Sequence, residues 1–154
     1  MEESLHYLIM ANQALVQKAL LERVRSAGLT IGQPKVLDYL KDHDGDSQKE
    51  IARGCHLEAG SLTSILNRME EKGLIERRML NGNRRTSHVF LTEEGREKQQ
   101  LVEETFSRIE QQALNGISDE ECAAFMAVYQ KIYQNLLDKC EEQNAEEGEK
   151  NESK

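Results

Sequence analysis

The stretch from Ser47 to Gly95 constrains this chain most. It reads SQKEIARGCHLEAGSLTSILNRMEEKGLIERRMLNGNRRTSHVFLTEEG. Ser47 and Glu50 have the spacing of a capping box, in which a hydroxyl and a carboxylate each satisfy the other residue's backbone N–H. The short helix they open, over 48–54, packs through Ile51 and Ala52. A turn over 55–58 leads to a second helix predicted over 59–72, with Leu62, Ile65, Leu66 and Met69 inward and Gly73 as its stop. Residues 74–79 and 86–91 then alternate as strands, and the Asn81-Gly82 pair between them signals a hairpin. Two capped helices and a hairpin in fewer than fifty residues leave room for only a small lobe.

Charge sharpens that reading. The whole chain of 154 residues carries a formal charge of −8, which argues against a nucleic-acid partner at first sight. Its distribution argues the other way. Residues 1–46 carry a net −2, residues 47–91 a net +3 and residues 92–154 a net −9. Phosphate binding depends on the local patch, and acid elsewhere limits non-specific attraction.

The flanks read as helices. Residues 3–26 carry an apolar stripe of Leu5, Leu8, Ile9, Leu15, Val16, Ala19, Leu20 and Val24, ended by Gly28. The stripe is longer than one small neighbour would cover, so burial against a partner is expected. Thr30 and Gln33 match a capping box before Pro34, which suits a first helical turn. Lys41–Asp46 (KDHDGD) reads as a polar break. Thr92 is placed to cap a helix from Glu93 to about 115, and Ser118 with Glu121 to cap a last one ending near Cys140. On that last helix Cys122, Phe125, Met126, Tyr129, Ile132, Tyr133, Leu136, Leu137 and Cys140 share one face. Residues 141–154 are almost all polar and are expected to be a disordered acidic tail. No apolar run approaches the ~20 residues that cross a bilayer, and the acidic start MEESLHYLIM does not resemble a secretory signal, so a cytoplasmic protein is expected.

The outer face of the 59–72 helix is small, polar and lightly charged. A face of that kind lies close in a major groove, where Ser, Thr, Asn and Arg hydrogen-bond base edges or phosphates. The candidate contacts there are Ser61, Thr63, Ser64, Asn67 and Arg68. At the hairpin tip Arg84 has the reach for the narrow minor groove, and Arg85 and Arg78 suit phosphates. Each feature singly also fits a solvated helix face or a hairpin charged against aggregation. Their order and spacing together favour double-stranded DNA over the alternative of a winged-helix module that binds only protein. Enzyme chemistry finds no foothold, because GxSxG, P-loop, GxGxxG and HExxH patterns are absent.

The three cysteines, Cys55, Cys122 and Cys140, are odd in number and widely spaced, which suggests reduced thiols. Cys55 lies near Arg53 and His56 before the second helix, so a redox-responsive regulator acting through Cys55 is a further alternative. His6, His43, His56 and His88 are scattered, and neither a metal nor another cofactor is expected.

Residues from about 30 to 95 resemble the MarR family of winged-helix transcriptional regulators. The matching pieces are TIGQ at 30–33 leading to Val36-Leu37, QKEIA at 48–52, LTSILNRMEEKGLI at 62–75, Arg84-Arg85, and LTEEG at 91–95. The resemblance implies a mainly α fold with a small antiparallel β-hairpin wing: a winged helix-turn-helix lobe plus a helical dimerisation domain. It divides the chain into a dimerisation helix (1–29), a DNA-binding domain (30–92), C-terminal dimerisation helices (93–140) and the tail. It implies an obligate homodimer on a pseudo-palindromic operator, more often a repressor than an activator. It also implies a crevice for a small aromatic or phenolic effector, with His6, Met10, Tyr39 and His43 as candidate lining. The family usually carries an aspartate just before the first wing arginine; this chain has Asn83, which accepts a hydrogen bond but supplies no charge pair.

Overall fold

The computed structural model describes residues 2–152, and the chain divides into two compact units between Gln112 and Ala113. The first unit opens with α1, Leu5–Val24, whose N-terminus is capped by Ser4 accepting from the Tyr7 N–H. One 3₁₀ turn, Arg25–Ala27, follows and closes on Gly28 in the left-handed conformation. Only Leu20 and Val24 of the helix are buried; Leu5, Leu8, Leu15 and Val16 stay exposed.

Helix α2, Gln33–Leu40, begins differently from expectation. Its N-cap is Gly32, with no side-chain cap, so Thr30 does not cap it. Half of the predicted box forms: the Thr30 N–H donates to Gln33 Oε1 at 3.1 Å. Lys72 donates to the same oxygen at 3.2 Å and to the Gly28 carbonyl. The other half is replaced by backbone, because the Gln33 N–H donates to the Thr30 carbonyl oxygen at 3.1 Å.

Helix α3, Gln48–Gly54, carries the complete Ser47–Glu50 box. Helix α4, Ala59–Glu71, buries Leu62, Leu66 and Met69 in the core shared with Val36, Leu37, Leu40 and Ile51. Strands β1, Ile75–Met79, and β2, Ser87–Leu91, pair antiparallel from Ile75 opposite Leu91 to Met79 opposite Ser87. Asn81 and Gly82 both have positive φ, and the Asn83 N–H reaches the Leu80 carbonyl at 3.1 Å, as a primed hairpin turn requires. That turn does not join the strands directly. The ladder stops at Met79 and Ser87, so residues 80–86 stand outside it as an extended tip.

A two-stranded hairpin alone is marginal in water. Here the segment read as a polar break supports it. The Gly45 N–H donates to the Val89 carbonyl at 2.8 Å, the Val89 N–H donates to the Asp46 carbonyl at 3.0 Å, and Ser47 bridges to His88. Gly45 needs its left-handed φ of 90°, and a side chain there would meet the Phe90 ring.

Helix α5, Glu93–Ala113, starts where Thr92 accepts from the Gly95 N–H at 3.0 Å and donates to the Gly73 carbonyl at 2.6 Å. A Cβ at Gly95 would run into the Leu74 carbonyl, which gives the LTEEG glycine its physical reason. Val102 is fully buried against the winged core, with Phe106 and Ile109 packed beside it.

In the second unit Ser118 and Glu121 form the expected box at 2.9 and 3.2 Å, opening α6, Asp119–Glu152. The expected disorder from residue 141 is overturned up to Glu152, which the helix includes; residues 153 and 154 lie outside the described residues. Glu makes up half of residues 141–152, and its intrinsic helix preference extends a helix that burial does not require.

The α3 cap makes a measurable claim. Ser47→Ala removes one cap acceptor and should lower stability by about 1 kcal/mol in urea unfolding. The Glu50 carboxyl is held below its ordinary pKa, first by the Ser47 backbone N–H and then by its hydroxyl. Its contribution is therefore complete above the unfolded pKa and lost as pH falls through the folded one. An unchanged urea midpoint for Ser47→Ala would show that this box does not hold the lobe.

Candidate nucleic-acid interface

Helix α4 presents Ser61, Thr63, Ser64, Asn67 and Arg68 to solvent while Leu62, Leu66 and Met69 anchor its other side. Not all five are equally available. The Thr63 hydroxyl donates to the Ala59 carbonyl at 2.9 Å, a bond back into its own helix, so towards a ligand it acts as an acceptor. Asn67 accepts at Oδ1 from Arg77 Nη2 at 2.6 Å. Ser61, Ser64 and Arg68 are exposed.

Arg77 was not among the residues expected from sequence. It lies inward on β1, where burial alternates from Ile75, and is only 20% exposed in its side chain. Its guanidinium reaches along α4 to Asn67 and to Glu70, at 3.7 Å, so it docks β1 beside the exposed face of α4. The signal was present in the period-two alternation, which puts Arg77 on the same side of the strand as Ile75.

The wing arginines divide into two groups. Arg78 pairs with Glu76 at 2.9 Å and stacks over Phe90, 4.5 Å from the ring centroid, so its charge is already engaged on the strand. Arg84 and Arg85 are exposed at the tip. Asn83 organises that tip: its Oδ1 accepts from the Arg85 N–H at 3.0 Å and its Nδ2 donates to Thr86 Oγ1 at 3.1 Å. An uncharged side chain therefore shapes the turn through one backbone and one side-chain contact.

The base of the wing is pinned by Asp44. Its Oδ1 accepts from the Leu91 N–H at 2.7 Å, and its Oδ2 pairs with Arg96 at 2.8 Å. One carboxylate thus ties the end of β2 to the start of α5.

The candidate effector residues fall into two places. Tyr39 and His43 stack at 4.2 Å between ring centroids, and His43 Nδ1 lies 3.0 Å from the Tyr39 carbonyl oxygen. The Tyr39 hydroxyl donates to Asp46 at 2.8 Å, and burial followed by that bond pushes its pKa up to about 12. His6 and Met10 are exposed on the first half of α1, and His6 lies 3.1 Å from the Ser4 hydroxyl.

Cys55 does not have the character of a redox sensor. It is 2% exposed, and burial pushes its thiol up to about 11, whereas a reactive cysteine needs access and a lowered pKa. Its Sγ lies 3.9 Å from the Lys35 carbonyl oxygen, and the Lys35 charge does not outweigh the desolvation.

A helix pair followed by a docked hairpin defines a winged-helix protein. Residues 27–86 match the model of the MarR family. Over those residues, less than half of the chain, it is similar to the MarR family. It is 29% identical over 131 residues to the HTH-type transcriptional regulator YwoH of Bacillus subtilis, covering 84% of this chain and 95% of that protein. The fold matches the Staphylococcus aureus MepR in a MepR–DNA complex with a TM-score of 0.77 and 26% identity, covering 88% of this chain and 99% of that one. It also matches a MarR-family regulator of Listeria monocytogenes with a TM-score of 0.80 and 20% identity, over 90% and 91% of the two chains.

The burial of Cys55 is directly testable. In native protein at neutral pH, Cys140, which is exposed, should react with a thiol reagent at least about tenfold faster than Cys55. Equal rates, resolved by mass spectrometry of the labelled peptides, would reinstate Cys55 as a reactive site.

Proposed function

We propose that this chain is a ligand-responsive repressor that binds double-stranded DNA sequence-specifically as a homodimer in the cytoplasm. The observation that carries the proposal is the pairing of two surfaces on one lobe. The exposed polar face of α4 is suited to a major groove, and beside it stands a hairpin tipped by Arg84 and Arg85. The MepR–DNA complex supports the same reading, because a similar fold is seen there with DNA. Among the described residues no helix is long and apolar enough to cross a membrane.

Dimerisation follows from what stays uncovered. Leu5, Leu15 and Val16 on α1, and Phe125, Tyr129, Tyr133 and Leu136 on α6, are large apolar side chains left exposed in the single chain. Faces of that extent are unfavourable in water, and a second copy would cover them. On this reading 1–29 and 93–140 form the dimerisation helices around the DNA-binding domain at 30–92. A two-fold dimer reads a pseudo-palindromic operator with half-sites about one helical turn apart. The effector this reading calls for is a small aromatic or phenolic molecule, and the stacked Tyr39–His43 pair offers it a flat face.

Duplex binding should weaken steeply as salt rises. Arg84→Ala should lower affinity and reduce the salt slope by about one per subunit, with thermal stability unchanged. Unaltered affinity and slope in a titration at physiological salt would remove Arg84 from the interface. Leu136→Asp should convert the dimer to folded monomer in sedimentation equilibrium; a folded dimer would refute the role given to α6.

A further inference from the structure

We propose that Lys72 is a positioning residue that fixes the direction of α4 relative to the end of α1, and so sets the half-site spacing that a dimer accepts. The inference rests on the DNA-binding and dimer reading above and deepens it. Lys72 is the C-cap of α4, and its backbone N–H donates to the Arg68 carbonyl. Its ammonium leaves that helix. It donates to the carbonyl of Gly28, the residue that closes the turn after α1, and at 3.2 Å to Oε1 of Gln33, the first residue of α2. One cation thus joins three elements. Each end of the link is fixed to its own element. The Gly28 N–H donates to the Arg25 carbonyl at 2.9 Å, and the Leu29 N–H to the Val24 carbonyl at 3.3 Å, with Val24 and Leu29 both buried. Beyond Lys72, the Leu74 N–H donates back to the Met69 carbonyl at 3.0 Å, and both of these residues are buried as well.

Gln33 is oriented for this link. Its Oε1 accepts from the Thr30 N–H as well as from Lys72, so turning the amide over would set Nε2 against two donors. The side chain is buried, and among the described residues Nε2 has no hydrogen-bond partner, so the amide is held for its oxygen. The apolar contacts do not supply the same restraint. Helix α4 packs on α2, α3 and β1, whereas the buried residues of α1 are Leu20 and Val24, both near its end. Burial over so short a stretch resists separation but is non-directional. Hydrogen bonds from one ammonium to two fixed oxygens are directional. On the dimer reading α1 belongs to the shared helices, so the direction of α4 from α1 decides how far apart the two copies of α4 stand. Half-site spacing follows from that distance.

The test reads spacing preference, not affinity alone. Duplexes selected from a random pool by the full-length wild type define the operator. No enriched motif, or a motif without two half-sites, would sink the DNA-binding dimer reading and this inference with it. With an operator of two half-sites, versions carrying one base pair more or fewer between them measure the spacing preference, and Lys72 is judged by its own variants. Lys72 is exposed, so Lys72→Met should leave the melting temperature and the dimer unchanged. Its discrimination against the altered spacings should fall about fivefold, with a smaller loss at the best spacing. An undiminished spacing preference in Lys72→Met would overturn the proposal. So would a loss of affinity equal at every spacing, which would make Lys72 a phosphate contact. If Lys72→Met does not fold, Lys72→Gln, whose side chain is one atom shorter and uncharged, decides by the same two criteria.

Discussion

The wing depends on a short edge pairing made far away in sequence. Two strands of five residues are too little sheet to hold an angle against a helical lobe. Gly45 and Asp46 add backbone hydrogen bonds on the outer side of β2, and Asp44 clamps its last residue to α5 through Leu91 and Arg96. On the inner side Arg77 ties β1 to α4. The hairpin is thus held at both edges, and the position of Arg84 and Arg85 relative to Asn67 follows from those two attachments. Without them a tip of residues 80–86 would swing freely, and ordering it on contact with a ligand would cost conformational entropy.

These attachments also explain what could be read in the chain beforehand. Three caps whose partners lie three residues apart were legible, Ser47 with Glu50, Ser118 with Glu121 and Thr92 before Gly95, whereas the Ser4 cap on Tyr7 was not read. The strands, the Asn81-Gly82 turn and the Gly73 stop were legible for the same reason, since local geometry alone decides them. The Thr30–Gln33 box was half wrong because the Gln33 N–H donates to the Thr30 carbonyl oxygen and not to its hydroxyl. Asp44 was read as part of a break because its partner is 47 residues away. The site divides in the same manner. The exposed α4 residues and the tip arginines follow from periodicity, whereas the engagement of Arg77, Arg78 and Thr63 depends on tertiary neighbours. The family resemblance carried the lobe, and the physical reason for its LTEEG glycine appears only when Gly95 is seen against the Leu74 carbonyl.

Internal pairing changes the electrostatic argument. The stretch from 47 to 91 has a net charge of +3, which already makes a weak attractor for a phosphate backbone. Lys72 is bound to Gly28 and Gln33, Arg77 to Asn67 and Glu70, and Arg78 to Glu76 and Phe90. Cations engaged in this way release fewer counterions when a duplex approaches, so the sequence-independent share of binding shrinks. The acidic remainder of the chain lowers it further. On the proposed DNA-binding reading, discrimination rests on directed hydrogen bonds at base edges, which depend on orientation more than on charge.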